Sequence, residues 1–152
     1  MVAISLTLPL PPGINNQYLT VGRRRVLSKP AQAFKRDVRK LIGAARLKGT
    51  ISAADETIIR ESLLGIYLTF HFETPFRRDL DGGLKIALDA VCTALGVDDR
   101  MVVDLHLTKQ IDPLAPRLEL ELEVIEEWNF DPQYVLLAAN QDIDSDEGQA
   151  LE

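Results

Sequence analysis

Residues 77–85 read Arg-Arg-Asp-Leu-Asp-Gly-Gly-Leu-Lys, and the groups able to do chemistry concentrate there. Asp79 and Asp81 follow the apolar run of residues 63–72. Their i, i+2 spacing on an extended segment predicts that both carboxylates point the same way. Two carboxylates held side by side repel unless a divalent cation, a shared proton or neighbouring cations compensate. Hard oxygen donors that leave room for water suit Mg2+. Asp81 also falls at the predicted start of a helix, where a carboxylate caps free N–H groups. That role covers Asp81 and leaves Asp79 unexplained. Lys85 lies one helical turn beyond Asp81. It either pairs with Asp89 at i, i+4 or stabilises charge developing on a phosphoryl group. A second acid pair, Asp98-Asp99, follows the helix. It completes a site with the first pair only if the chain folds back or the next strand runs beside the preceding one. Otherwise it is ordinary turn chemistry.

Elements that would position these groups are legible as periodicities. Ile4, Leu6 and Leu8 alternate with Ala3, Ser5 and Thr7 as in a half-buried strand, which Pro9, Pro11 and Pro12 stop. A loop and hairpin follow, with Gly22 at the turn. Ser28 and Pro30 open a helix reaching about residue 47 and closed by Gly49. Phe34, Val38, Leu41, Ile42 and Ala45 form its apolar stripe; Arg36, Arg39, Lys40 and Arg46 lie opposite. Residues 50–62 read as a polar connection. A strand spans Leu63–Phe72, and a second helix begins just after Asp81 with Leu84, Leu88, Val91 and Leu95 inward. Strands follow at residues 101–109 and Arg117–Ile125. In the last, leucines alternate with glutamates, so one face of the sheet is expected to be open. His71 and His106 fall on polar strand faces, and Cys92 reads as buried filler.

The formal net charge is −6, which on its face disfavours a polyanionic partner. Its distribution reverses that impression. Residues 1–50 hold ten Lys/Arg and a single acid, Asp37, whereas residues 110–152 hold a single basic residue, Arg117, and twelve acids. A basic first third with an acidic tail suggests a nucleic-acid surface. The tail lacks an apolar period, so residues 129–152 are expected to be disordered beyond a domain at 1–128, apart from a short helix that residues 132–139 could form. Trp128, Phe130 and Tyr134 could anchor that segment. The single cysteine excludes an internal disulfide and suits a reducing cytosol, and no signal peptide or membrane span is expected.

Three blocks together resemble the RusA-type Holliday junction resolvases. They are "LPLPPGINNQY" with the basic turn "GRRRVLS", "RRDLDGGLKIALDAV", and "VDDRMVVD" before the strand "RLELELEV". The resemblance covers roughly residues 1–126. It implies an α+β domain with a mixed sheet and two principal helices, and a homodimeric endonuclease that cuts paired strands across four-way DNA, in keeping with the cytoplasmic location the cysteine usage suggests. It further implies Mg2+, with Mn2+ as a substitute, held by Asp79, Asp81 and Asp99, and Lys85 as the catalytic lysine. Arg23, Arg24, Arg25, Arg36, Arg39, Lys40, Arg77 and Arg78 would hold backbone phosphates. Asn15 and Asn16 would contact DNA or serve only as turn residues. The family often has Asn directly after the second aspartate, where this chain has Gly82-Gly83. Two rivals remain at this level: a metal-dependent transferase with an Asp-x-Asp motif, and a branched-DNA binder without catalysis.

Overall fold

In a computed structural model the chain is described from residue 2 to residue 128. Along it run β1 (Ala3–Leu8), β2 (Tyr18–Val21), β3 (Arg24–Leu27), α1 (Lys29–Lys48), α2 (Ala53–Arg60), β4 (Leu63–Phe72), α3 (Leu84–Leu95), β5 (Val102–Ile111) and β6 (Arg117–Ile125). Short 3-10 turns occupy Ile14–Asn16 and Asp99–Met101. The acidic segment expected to be disordered, with Phe130 and Tyr134, lies outside the described residues.

Four strands form one sheet in the order β1-β6-β4-β5, and among the described residues β2 pairs only with β3, in a separate hairpin. β6 is antiparallel to both β1 and β4, whereas β5 runs parallel to β4. A parallel neighbour cannot be reached by a tight turn. The 73–101 segment, containing α3, is that crossover, and every acid of the Asp79 and Asp98 groups lies on it.

Register assigns the two sheet faces. Ile66 lies opposite Leu122 of β6 and Leu105 of β5, and Leu122 lies opposite Ile4. This face is the core: Leu68, Phe70, Leu118 and Leu120 are essentially inaccessible. Burying each such side chain contributes on the order of 1.5–3 kcal/mol. The other face carries Glu119, Glu121, Glu123, Tyr67, Thr69 and His106, so the sheet is open on one side as the glutamate alternation predicts. There Tyr67 stacks on His106 at 4.5 Å and its hydroxyl donates to Glu123 at 2.9 Å. His71, on the same face, is buried, with Nε2 3.3 Å from Glu119 Oε2 but without the alignment of a hydrogen bond. Neither histidine pairs with a carboxylate of the Asp79–Asp99 group.

Ser28 caps α1 by accepting from Ala31 N at 3.2 Å, and Gly49 ends it at φ 77°. Leu41, expected inward, is exposed; Ala31, Phe34, Val38 and Ile42 carry the contact instead. Residues 50–62 are not merely a connection but contain α2, whose first turn is capped by Ser52 accepting from Asp55 N at 3.1 Å. α2 buries Glu56, which Arg46 compensates through contacts of 2.9 and 2.6 Å. Arg46 also donates to Ala94 O at 2.7 Å, and Arg60 to Leu95 O at 2.9 Å. The carbonyls orphaned at the end of α3 are thus satisfied from α1 and α2. This ties the crossover helix to the rest of the domain.

Candidate active site

The turn bearing Asp79 is held from three directions. Lys109 of β5 donates to Pro75 O at 3.0 Å and Arg78 O at 2.7 Å, tying the 73–78 loop to the sheet edge. Arg78 turns inward: Nη2 donates to Pro11 O, and the guanidinium lies 5.2 Å from the Phe72 ring. Burial lowers its pKa, and a guanidinium stays charged regardless. Its hydrogen bond thus goes to the scaffold, while Arg77 is exposed. The third tie comes from Gln17, a residue the periodicities did not single out. It is buried, and Nε2 donates to Pro12 O at 3.0 Å and Gly82 O at 2.9 Å.

The carboxylates do not sit on an extended segment. Gly82 N donates to Asp79 O at 3.3 Å and Leu84 N to Asp81 O at 3.1 Å, so two turns succeed each other. α3 starts at Leu84 with Gly83 as its N-cap and no side-chain cap, so Asp81 does not cap the helix. The helix also starts two residues later than expected, and its inner face differs from the expected stripe. Ile86, Ala87, Ala90, Val91, Cys92 and Leu95 are buried, whereas Leu84 and Leu88 are only partly so. Asp79 and Asp81 are both exposed, and among the described residues neither side chain has a hydrogen bond or ion pair.

The two glycines differ. A Cβ on Gly83 would lie 2.5 Å from Pro11 Cγ and 3.5 Å from Phe70 Cε1, so the proline-rich loop closes over this position. At Gly82 the nearest atom would be Asp79 O at 3.5 Å, an ordinary contact. A Cβ is therefore accommodated at Gly82 and not at Gly83.

A cleft of about 340 Å³ brings Asn15 and Asn16 together with Arg77, Arg78 and Asp79, and Pro12, Gly13, Ile14 and Gly82 complete its lining. Asp99 does not line that cleft. Lys85 Nζ lies 3.0 Å from Asp89 Oδ1 and 3.4 Å from Asp99 Oδ2, so the return of the chain after α3 brings Asp99 to the lysine. The hydrogen bond to Asp89, then its charge, and then Asp99 raise the pKa of Lys85, which is fully protonated at neutral pH. Asp98 turns to Arg100 at 2.7 Å instead. Among the described residues no three His, Cys, Asp or Glu side chains are gathered to hold a metal, so Asp79, Asp81 and Asp99 do not form a closed triad within the chain. Asp79 and Asp81 nonetheless fit a hard cation. Mg2+ is commonly held by one or two carboxylates, with water and substrate phosphate filling its shell.

Cations occupy two further places. Lys35, Arg36 and Arg39 line a groove of about 300 Å³ between α1 and α3 with Gln32, Ala90 and Thr93; Lys40 is exposed outside it. Lys35 was absent from the residues read as basic surface, because it lies near the apolar stripe. Arg23, Arg24 and Arg25 are exposed around the turn of the β2–β3 hairpin, with Arg25 4.3 Å from the Tyr18 ring. Cys92 is buried, and burial, followed by the charges of Asp99 and Asp89, pushes its thiol up to about 11. It supplies no nucleophile at neutral pH.

No family model matches the chain. Individual relatives do. The crossover junction endodeoxyribonuclease RusA of Escherichia coli O139:H28 (strain E24377A / ETEC) is 35% identical over 128 residues, covering 83% of this chain and 97% of that protein. The protein of that name from Escherichia coli K12 is 36% identical over 124 residues, 80% of this chain and 95% of its own length. A third, from Enterobacteria phage 82, is 34% identical over 119 residues, 77% and 91% of the two chains. The chain belongs to the RusA family. In this RusA-family domain the similarity spans nearly the whole length of each of these relatives. No described helix is long and apolar enough to cross a membrane.

Proposed function

We propose that the chain is a structure-selective endonuclease that resolves four-way DNA junctions by Mg2+-dependent phosphodiester hydrolysis, serving recombination and repair in the cytoplasm. The observation that carries this reading is similarity over nearly the full length of proteins named crossover junction endodeoxyribonucleases. The exposed, unengaged Asp79 and Asp81 beside a cleft lined by Asn and Arg supply the matching chemistry. Both carboxylates are exposed and have no protein partner among the described residues, which leaves their oxygens open to a cation.

Asp79 and Asp81 would hold the cation, with Mn2+ able to replace Mg2+, and Asp99 is the third carboxylate of the proposed set. When bound, the metal neutralises the scissile phosphate and lowers the pKa of water. Lys85, kept protonated by Asp89 and Asp99, stabilises the negative charge growing on the phosphate or gives a proton to the leaving oxygen. Asn15, Asn16 and Arg77 line the approach to Asp79 and orient the strand. Arg23, Arg24, Arg25, Arg36, Arg39 and Lys40 neutralise phosphates farther out. Arg78 acts mainly by fixing the turn. A homodimer would present two such sites to a nearly two-fold junction.

The test is cleavage of a synthetic four-way junction, a linear duplex and a flap, each with Mg2+ or EDTA. Paired nicks confined to the junction and abolished by EDTA are expected. Junction binding without cleavage would leave a non-catalytic binder, and equal cutting of the duplex would remove the structure selectivity.

A further inference from the structure

Apart from Leu27 at its base, which packs against the core, the β2–β3 hairpin stands clear of it. Among the described residues it pairs with no third strand, and every residue of β2 is exposed. Register places Leu19 opposite Val26 and Val21 opposite Arg24, so these four side chains share one face. Leu19 is 55% exposed, Val21 62% and Val26 37%. A free two-stranded hairpin is marginal in water. Here its base is fixed: Ser28 N donates to Gln17 O at 2.9 Å, and Ser28 Oγ bonds Asn16 O at 2.5 Å. Gln17 in turn is bonded to Gly82 of the carboxylate turn. The hairpin is therefore an arm mounted on the backbone of the same buried residue whose side chain holds the candidate active site.

An exposed aliphatic patch bordered by charge marks a contact surface. Three consecutive arginines, Arg23 to Arg25, surround the turn, and no acidic residue precedes Asp37 in the sequence. That charge fits a polyanion. It disfavours the same patch of a second copy, which would set arginine against arginine. From this we infer that the hairpin is a wedge for branched DNA. The arginines grip phosphates on either side of the branch point while Leu19, Val21 and Val26 enter between base pairs there. Aliphatic side chains inserted at a base step unstack it and open the duplex. At a crossover the stack is already interrupted, so insertion is least costly at that position. With Gln17 linking the arm to the carboxylate turn, wedging at the branch point would set which phosphate lies at Asp79. This rests on the reading of the chain as a branched-DNA nuclease.

The test uses the full chain and a four-way junction carrying 2-aminopurine beside the crossover, with Ca2+ in place of Mg2+ to hold back cleavage. Wild-type protein is expected to raise the fluorescence several-fold. The double variant Leu19→Ser/Val21→Ser, both surface positions, is expected to bind within about threefold of wild type but to lose most of that rise. Arg23→Ala/Arg24→Ala is expected to weaken binding and to reduce the salt slope by about 2, one contact per arginine, with the rise recovered at saturation. An unchanged rise in the serine variant overturns the wedge. So does a serine variant that keeps the rise but loses self-association, which assigns the patch to a second copy. A wild-type protein that binds no junction overturns the proposed function along with the wedge.

Discussion

Replacing Gln17 tests how the carboxylate turn is held. Its side-chain amide donates to Pro12 O and Gly82 O at 3.0 and 2.9 Å, and the residue is buried. Gln17→Met keeps the length and removes both donors. Each hydrogen bond is worth about 1 kcal/mol net, and a part-buried carbonyl left without its donor costs about 1–3 kcal/mol. The variant should therefore lose roughly 2–4 kcal/mol, which for a domain of this size lowers Tm by about 5–12 °C. Gln17→Glu should be worse, because it places a carboxylate against two carbonyl oxygens. Urea unfolding gives the free energy. Single-turnover junction cleavage at saturating protein, at a temperature where every variant is folded, gives the effect on the turn. A rate that falls while junction affinity holds is the expected split. A loss below about 0.5 kcal/mol with an unchanged rate would refute the reasoning, since the two bonds would then hold nothing in place.

Other consequences follow from the same geometry. Gly83→Ala drives a Cβ into Pro11 at 2.5 Å and should destabilise by about 1–3 kcal/mol, whereas Gly82→Ala should stay within about 0.5 kcal/mol; chemical unfolding compares them. Cys92, with its thiol pushed up to about 11, should react with Ellman's reagent at pH 8 only on unfolding. Because an unfolded thiol titrates near 8.5, the stability this shift confers is complete below that pH and is lost as pH rises towards 11; Cys92→Ala should flatten that decline. Arg117 holds the carboxyls of Asp112 and Glu119 below their ordinary range. That stabilisation exists above the usual carboxylate pKa and disappears as pH falls through the depressed values. The stability gap between wild type and Arg117→Ala should therefore narrow towards pH 2 in thermal melts.

Much of the fold was readable where a single physical rule dominates. The limits of β4 and β6 follow from unbroken alternation, and those of α1 from Ser28 and Gly49. α2 was missed because its apolar face is short, although the Ser52-x-x-Asp55 cap was present in the sequence. The carboxylate turn was misjudged as extended because the Asp-Leu-Asp spacing says nothing of the backbone bonds that Gly82 and Leu84 make. Gln17 was invisible for a related reason. Its importance lies in a contact 65 residues away in the chain, which no local pattern encodes. The basic residues were legible as a set but not by role: Arg46 and Arg78 serve the scaffold, whereas Arg77 and the hairpin arginines face outward. For Asp99, the sequence left open whether the chain returns. It does return, bringing Asp99 to Lys85.

The account turns on Asp79 being a reacting-site carboxylate rather than a turn residue. The direct measurement is single-turnover cleavage of a four-way junction by Asp79→Asn, an isosteric change at an exposed side chain with no partner among the described residues. A fall in rate of about 10³ or more, with junction affinity and Tm within error of wild type, is the predicted result. Cleavage within a few-fold of the wild-type rate would contradict it.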